Sequence, residues 1–171
     1  MANQAIHIPI GLTTDGLLAK RYMARLIDGM LLSAMAFAAS FLAARWMSDS
    51  IASGIALLLS GLLIMFLWIG YEALLESSAW QATVGKRLMS LKVYDVTGGR
   101  VTLRQAAARN LVKDGPFLLF GLFPGVQLLS VVWLAVHLVV LHRSPVSQAI
   151  HDRTVHTWVA APEQTLQLRI S

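Results

Sequence analysis

The chain has 171 residues, 56% of them hydrophobic and only 13% charged, and it contains no cysteine. A charged share about half of the ~25% usual for soluble domains excludes an ordinary water-soluble core, and the lack of cysteine excludes disulfides, thiol nucleophiles and cysteine metal sites. The formal charge of +5 comes without a basic run or a basic motif interleaved with aromatics. No nucleic-acid partner is therefore expected, and the basic residues report membrane orientation instead.

Residues 1–19 mix Gly, Thr, Asn and Pro9 without periodicity and are expected to form a mobile or loosely docked leader. A first helix is expected over about Arg21–Ala44. Its apolar part, Met30 to Ala44, reaches the roughly 20 residues needed to span a bilayer only if the helix starts near Lys20 or Arg21 and takes Arg25 and Asp28 with it. Lys20, Arg21 and Arg25 ahead of an apolar run with small residues near Ala38 also resemble a signal peptide. Residues 1–19 precede that run and Asp28 lies at its start, which favours a membrane helix.

A short turn over Arg45–Ser50 leads to a second helix over about Ile51–Leu75. It has no formal charge from Ile51 to Tyr71, and Trp68 and Tyr71 sit near its far end, where interfacial aromatics belong. Ala36, Ser40 and Ala44 in the first helix, and Ala52, Ala56 and Ser60 in the second, recur every four residues. Small residues at this spacing permit close packing, either between these helices or across a homodimer seam.

Glu76 to Lys113 holds seven of the fourteen basic residues, Lys86, Arg87, Lys92, Arg100, Arg104, Arg109 and Lys113, as a cytoplasmic loop does. Met89, Leu91 and Val93 alternate with Ser90, Lys92 and Tyr94. Thr97-Gly98-Gly99 and Arg100–Leu103 follow, so a β-hairpin is expected over residues 89–103. Thr102 and Gln105 form a capping-box pattern that opens a helix towards Asp114.

The uncharged stretch from Gly115 to Leu141 either crosses once or breaks at Pro124-Gly125 into limbs over about Leu111–Phe123 and Val126–Leu141. A tail with Arg143, Arg153 and Arg169 against Asp152 and Glu163 prefers the inside. Strand-like Thr154–Val159 also needs the 89–103 hairpin as its partner. Both favour the broken form. The fold expected is an all-α membrane protein of about four membrane helices, the last two a short or re-entrant hairpin, with a small cytoplasmic β-element. Residues 20–160 would form this domain, residues 161–171 a tail, and both termini would be cytoplasmic.

Arg21, Arg25 and Asp28 fall at i, i+4 and i+7, on one helix face near the membrane boundary. Charge at membrane depth must pair or face water, so Asp28 is a candidate site, with neutralisation by Arg21 or Arg25 as its plain structural role. Glu72 and Glu76, one turn apart, either receive Lys86 or Arg87 and anchor the loop, or offer titratable carboxylates to a cation. Thr83-Val84-Gly85-Lys86 lacks the glycine ladder of a phosphate loop. Gly85 is expected to permit a tight turn at the interface, and Lys86 and Arg87 to meet anionic lipid headgroups. Asp152 is read as an acceptor for Arg21, Arg109 or backbone N–H groups. Adjacent His151 and Asp152 have no nucleophile elbow nearby. His137, alone in an apolar limb, is a hydrogen-bonded core histidine or a proton-relay group. With no nucleophile, metal set or cofactor loop in view, neither enzymatic activity nor a cofactor is expected.

Lys20-Arg21-Tyr22-Met23-Ala24-Arg25-Leu26-Ile27-Asp28, then Thr83-Val84-Gly85-Lys86-Arg87-Leu88 with Leu91 and Val93, then Arg109-Asn110, then His151-Asp152 with Thr154 or Thr157, together resemble the RDD family of membrane proteins over about residues 20–160. The family's arginine maps to Arg21, seven residues before Asp28 with Ala24 between, and its second aspartate to Asp152. Arg25 stands where the family pattern is usually neutral. The resemblance implies a bacterial cytoplasmic-membrane protein, with cation/proton exchange proposed for some members. The expected function is thus a small, oligomeric transport-type protein with Arg21, Asp28 and Asp152 in a buried charge cluster. The alternative is a non-catalytic accessory or assembly protein that presents its basic loop and sheet to a partner membrane protein or to anionic lipid.

Overall fold

The structure, a computed structural model, describes residues 7–45, 50–122, 127–144 and 146–163. In chain order the elements are β1 (Leu12–Thr13), α1 (Leu18–Arg45), α2 (Ser50–Ser77), α3 (Val84–Leu88), β2 (Lys92–Asp95), α4 (Leu103–Leu122), α5 (Gln127–Arg143), α6 (Ile150–Thr154) and β3 (Thr157–Pro162). At 1.5 Å per residue, α1 and α2 are each about 42 Å long and α4 about 30 Å.

Polarity is inverted relative to a soluble protein. Met30, Phe37, Phe66, Leu128 and Val131 are each more than half exposed, while Asp28, Glu72, Glu76, Arg109, Asn110 and Asp114 are buried. Such a surface suits hydrocarbon as its solvent, with the charged groups satisfying one another inside. Among the described residues, Leu18–Leu42 is long and apolar enough to cross a membrane, and Leu128–Arg143 is a shorter apolar helix.

At one end of the helices lies a three-stranded antiparallel sheet in the order β1-β3-β2. Lys92 pairs with Ala160 and Asp95 with Thr157, so the Tyr94 ring meets that of Trp158 at 4.9 Å. Leu17, Ala24, Ala73, Leu91, Val93, Val101, Ala106, Val159 and Ala161 form one apolar cluster that seats the sheet against the ends of α1, α2 and α4. As expected, the capping box opens α4: the Gln105 amide donates to Thr102 Oγ1 at 3.2 Å, and Gln105 Oε1 accepts from the Thr102 amide at 3.0 Å.

Several expectations need correction. Residues 7–17 are not a loose leader, because Leu12 and Thr13 pair with Pro162 and Ala161, and Thr14 and Leu17 are buried. The segment 89–103 is not a hairpin of two strands. Asp95 Oδ1 accepts from the Thr97 and Gly99 amides and from Thr97 Oγ1, which closes a compact turn. Tyr94 and Arg100 form an isolated bridge across it. Val101 then buries itself and Thr102 starts the α4 cap, which leaves no room for a second strand. The partner of β2 is β3, as anticipated for the tail, but β3 begins at Thr157 rather than Thr154 because Ile150–Thr154 forms α6. The Pro124-Gly125 break and the side chains of Ala44, Ala52, Ala56 and Ser60 lie outside the described residues.

Gly85 also differs from expectation. It lies inside α3, and the glycine is required by close approach rather than by a turn: a Cβ there would stand 2.1 Å from the Ala24 carbonyl oxygen and 2.9 Å from Asp28 Cγ. Ala24, 1% exposed, offers the matching small surface on α1. Gly85→Ala is therefore expected to push α3 off α1 and to destabilise the fold by about 3 kcal/mol, the upper part of the overpacking range. Thermal unfolding in detergent measures it, and an unchanged midpoint contradicts the contact.

Candidate functional site

The site starts from one face of α1, where Arg21, Ala24, Arg25 and Asp28 share a helical stripe. Asp28, 1% exposed, pairs with neither arginine. Its Oδ1 accepts from the Gly85 amide at 2.8 Å and from Tyr71 Oη at 3.0 Å, and its Oδ2 accepts from Thr83 Oγ1 at 2.5 Å. Thr83 in turn caps α3, its Oγ1 taking the Lys86 amide at 3.3 Å. Asp28 is thus the anchor that fixes α3 to the bundle, through donors rather than through a counter-ion.

The arginines go elsewhere. Arg21 Nη2 meets Asp152 Oδ2 at 2.6 Å, and Arg21 Nη1 donates to the Ser147 carbonyl. Arg109, 1% exposed, forks between two acids: Nε to Asp152 Oδ1 at 2.8 Å, and Nη1 to both oxygens of Glu76 at 2.6 Å. Lys86 completes Glu76, and the Asn110 amide adds a bond at 3.1 Å. A second set forms a closed ring. Arg25 reaches Glu72 and Asp114, each at 2.5 Å, while Lys113 pairs with Glu72 and stands 3.5 Å from Asp114 Oδ2. Asn110 Oδ1 joins the sets by accepting from Lys113 Nζ at 2.9 Å.

Arg21, Arg25, Lys86, Arg109 and Lys113 thereby pair with Glu72, Glu76, Asp114 and Asp152, while Asp28 is satisfied by hydrogen-bond donors alone. Buried charges persist only when they are paired or hydrogen-bonded in this way. Above the ring lies a cavity of about 340 Å³, walled by charged groups of α1, α2 and α4 and by Phe117, Trp133, Leu134, Leu138 and Leu141. His137 also lines it, with its Nε2 3.1 Å from His151 Nδ1 and the two rings stacked. Burial pushes the His151 imidazole well below its ordinary value against the pull of Asp152. Burial alone would raise the Asp152 carboxyl, but Arg109, His151 and Arg21 hold it well below the carboxylate range.

The expected cluster of Arg21, Arg25, Asp28 and Asp152 therefore divides in three: Arg21 with Asp152, Arg25 with Glu72 and Asp114, and Asp28 with α3. Glu72 and Glu76 do receive basic groups, but Glu72 takes Arg25 and Lys113. Lys86 turns inward to Glu76 and is not presented to lipid headgroups. Arg87 stays outside, its Cζ 4.1 Å over the Trp80 ring. Tyr71, Thr83, Asn110, Lys113 and Asp114 were not singled out as site residues. Arg109, Asn110, Lys113 and Asp114 fall at i, i+1, i+4 and i+5 of one helix, and that spacing was the available signal.

Lysine carries one compact charge and cannot reproduce the fork between Glu76 and Asp152. Arg109→Lys is therefore expected to cost about 2 kcal/mol, because the link between the two acids is broken and one of them loses a charge-assisted hydrogen bond while keeping only its second base, Lys86 or Arg21; a wild-type unfolding midpoint in detergent contradicts this. For His151 the unfolded chain binds a proton below the ordinary pKa of 6.5 that the folded chain refuses. Stability is thus full above pH 6.5 and falls on acidification by up to about 1.4 kcal/mol per pH unit. His151→Gln is expected to flatten the unfolding midpoint between pH 7.5 and 5.5, and an equal acid sensitivity in that variant refutes the assignment.

Comparison with known proteins agrees with the motifs placed above. Neither a curated protein nor a solved structure matches the chain. The family model described as RDD family matches residues 16–156, from the start of α1 through α6, and the chain belongs to the RDD family, whose members are generally membrane-associated.

Proposed function

We propose that α1, α2, α4 and α5 all cross the bacterial cytoplasmic membrane with both termini inside, and that the protein, as an oligomer, exchanges a small cation for protons at the cavity. The observation that carries this reading is the ring of Arg25, Glu72, Lys113 and Asp114. Two carboxylates that share the same two counter-ions border open space instead of being sealed behind packed side chains. A proton taken up by Asp114 weakens its hold on Arg25 and Lys113, and a small cation that enters the ring competes for the same oxygens. Cation and proton are then alternative occupants of one coupled acid pair, which is the requirement for exchange. Four helices make a thin pathway, and the exposed apolar faces of α1 and α5 leave room for neighbouring copies. No enzymatic step belongs to this reading.

The second reading, an accessory protein that docks on anionic lipid or a partner membrane protein, draws on a different face. Arg87, Trp80 and Lys92 border a cavity of about 470 Å³ beside β2. A basic and aromatic groove at the end of α2 suits anionic headgroups at the bilayer surface.

Proteoliposomes with imposed Na⁺, K⁺ and H⁺ gradients separate the two. Flux is expected from the wild-type chain and a fall of at least about tenfold from folded Asp114→Asn, since the neutral amide cannot exchange a proton at the ring. Asp28→Asn is expected instead to lower the yield of folded protein and to spare flux per folded molecule. No flux from folded wild type under any gradient sinks the exchange reading in favour of the accessory one.

A further inference from the structure

α1 packs on α2, α2 on α4 and α4 on α5, but among the described residues α1 and α5 do not pack along their lengths. They meet at Tyr22 and His142, with ring centroids 6.1 Å apart and a 3.4 Å contact from Tyr22 Oη to His142 Nδ1. The cavity between them is therefore open sideways, towards the surroundings of the apolar helix faces. Leu134, on its rim, is 49% exposed.

The cavity is graded in polarity along the helices. Asp114 on α4 and His137 on α5 lie towards the sheet end, and Phe117 and Trp133, about one turn away on each helix, lie towards the opposite end. Charge near the sheet with apolar wall beyond it is the profile of an amphiphile in the adjoining leaflet, head outward and chain towards the midplane.

The chemistry of the head follows from which buried atom lacks a partner. Asp114 is 3% exposed, and its Oδ2 is a cavity-wall atom without a hydrogen bond. Asp114 Oδ2 is an acceptor, and its nearest cation, Lys113 Nζ, stands off at 3.5 Å because that lysine is committed to Glu72 and Asn110. The His137 ring has partners in the His151 imidazole and the Trp133 carbonyl. Asp114 Oδ2 therefore calls for a donor. The basic groups that face the cavity, Arg21, Arg25, Lys86, Arg109 and Lys113, each already hold an acid.

We propose that the cavity is a lateral binding site for a membrane-resident amphiphile with a protonated amine head, which donates to Asp114 Oδ2 while its chain lies along Trp133 and Leu134. The site shares its cavity with the exchange reading, but binding needs no gradient and no flux.

The test uses the full chain in phosphatidylcholine nanodiscs and three probes with one chain length: undecylamine, undecanol and undecanoic acid, each brominated at the far end. Bromine quenches tryptophan on contact, so the difference between wild type and Trp133→Phe isolates occupancy of the cavity. The amine is expected to quench Trp133 at a concentration about tenfold lower than the alcohol, as a charge-assisted bond supplies, and Asp114→Asn is expected to erase that preference. Leu134→Phe leaves every charge in place and narrows the rim. It is expected to weaken all three probes and covers the case in which Asp114→Asn does not fold. Equal potency of amine and alcohol, tighter binding of the acid, or quenching that does not depend on Trp133 each overturns the proposal.

Discussion

Arg109 is the constraint on which the rest of the molecule depends. Its guanidinium joins Glu76 at the end of α2 to Asp152 in α6, and each of those acids then recruits a second base, Lys86 from α3 and Arg21 from α1. The short helices α3 and α6 are thereby tied to the long helices through one fork. In hydrocarbon there is no apolar driving force to hold helices together, so pairing of this kind, together with close contact, supplies the specificity. The cost of an unpaired charge at such depth explains why every base in the cluster holds an acid.

The family motifs acquire physical meanings from this arrangement. In the α1 stripe, Arg21 reaches the tail, Ala24 makes room for the Gly85 backbone, and Asp28 gathers the Gly85 amide and the Thr83 and Tyr71 hydroxyls. Three neighbouring positions thus fix two separate segments against one helix. The Thr83–Lys86 run is the complement: a cap, a backbone contact and a base. Arg25, on the same stripe, clamps Glu72 to Asp114.

Local signals carried much of this. The α1 stripe, the Thr102–Gln105 cap and the need of the tail strand for a partner near residue 93 are all set by short-range spacing, and each is found in the structure. What local spacing cannot encode is which base meets which acid. Arg21 and Arg25 are a single turn apart and chemically alike, yet they go to α6 and to α2 with α4, because helix rotation and crossing decide the partner. Lys86 was misplaced at the lipid surface for the same reason: five residues of α3 turn it inward, and nothing in Gly85-Lys86-Arg87 distinguishes an inward base from an outward one. Gly85 announced a constraint but not its kind, since a turn and a helix contact call for the same residue.

The strand order also dictates a sequence of events. β3 lies between β1 and β2, so the two earlier strands share no edge and have nothing to pair with until Thr157–Pro162 exists. Asp152 is made just before it, and until then Arg21 and Arg109 both lack the acid they share. A ribosome that has delivered all four long helices has therefore produced a bundle with its basic groups in surplus and its inner face unlatched. Closure waits for residues 150–162, and a chain interrupted before them is left with unpaired strand edges and without the acid that Arg21 and Arg109 share.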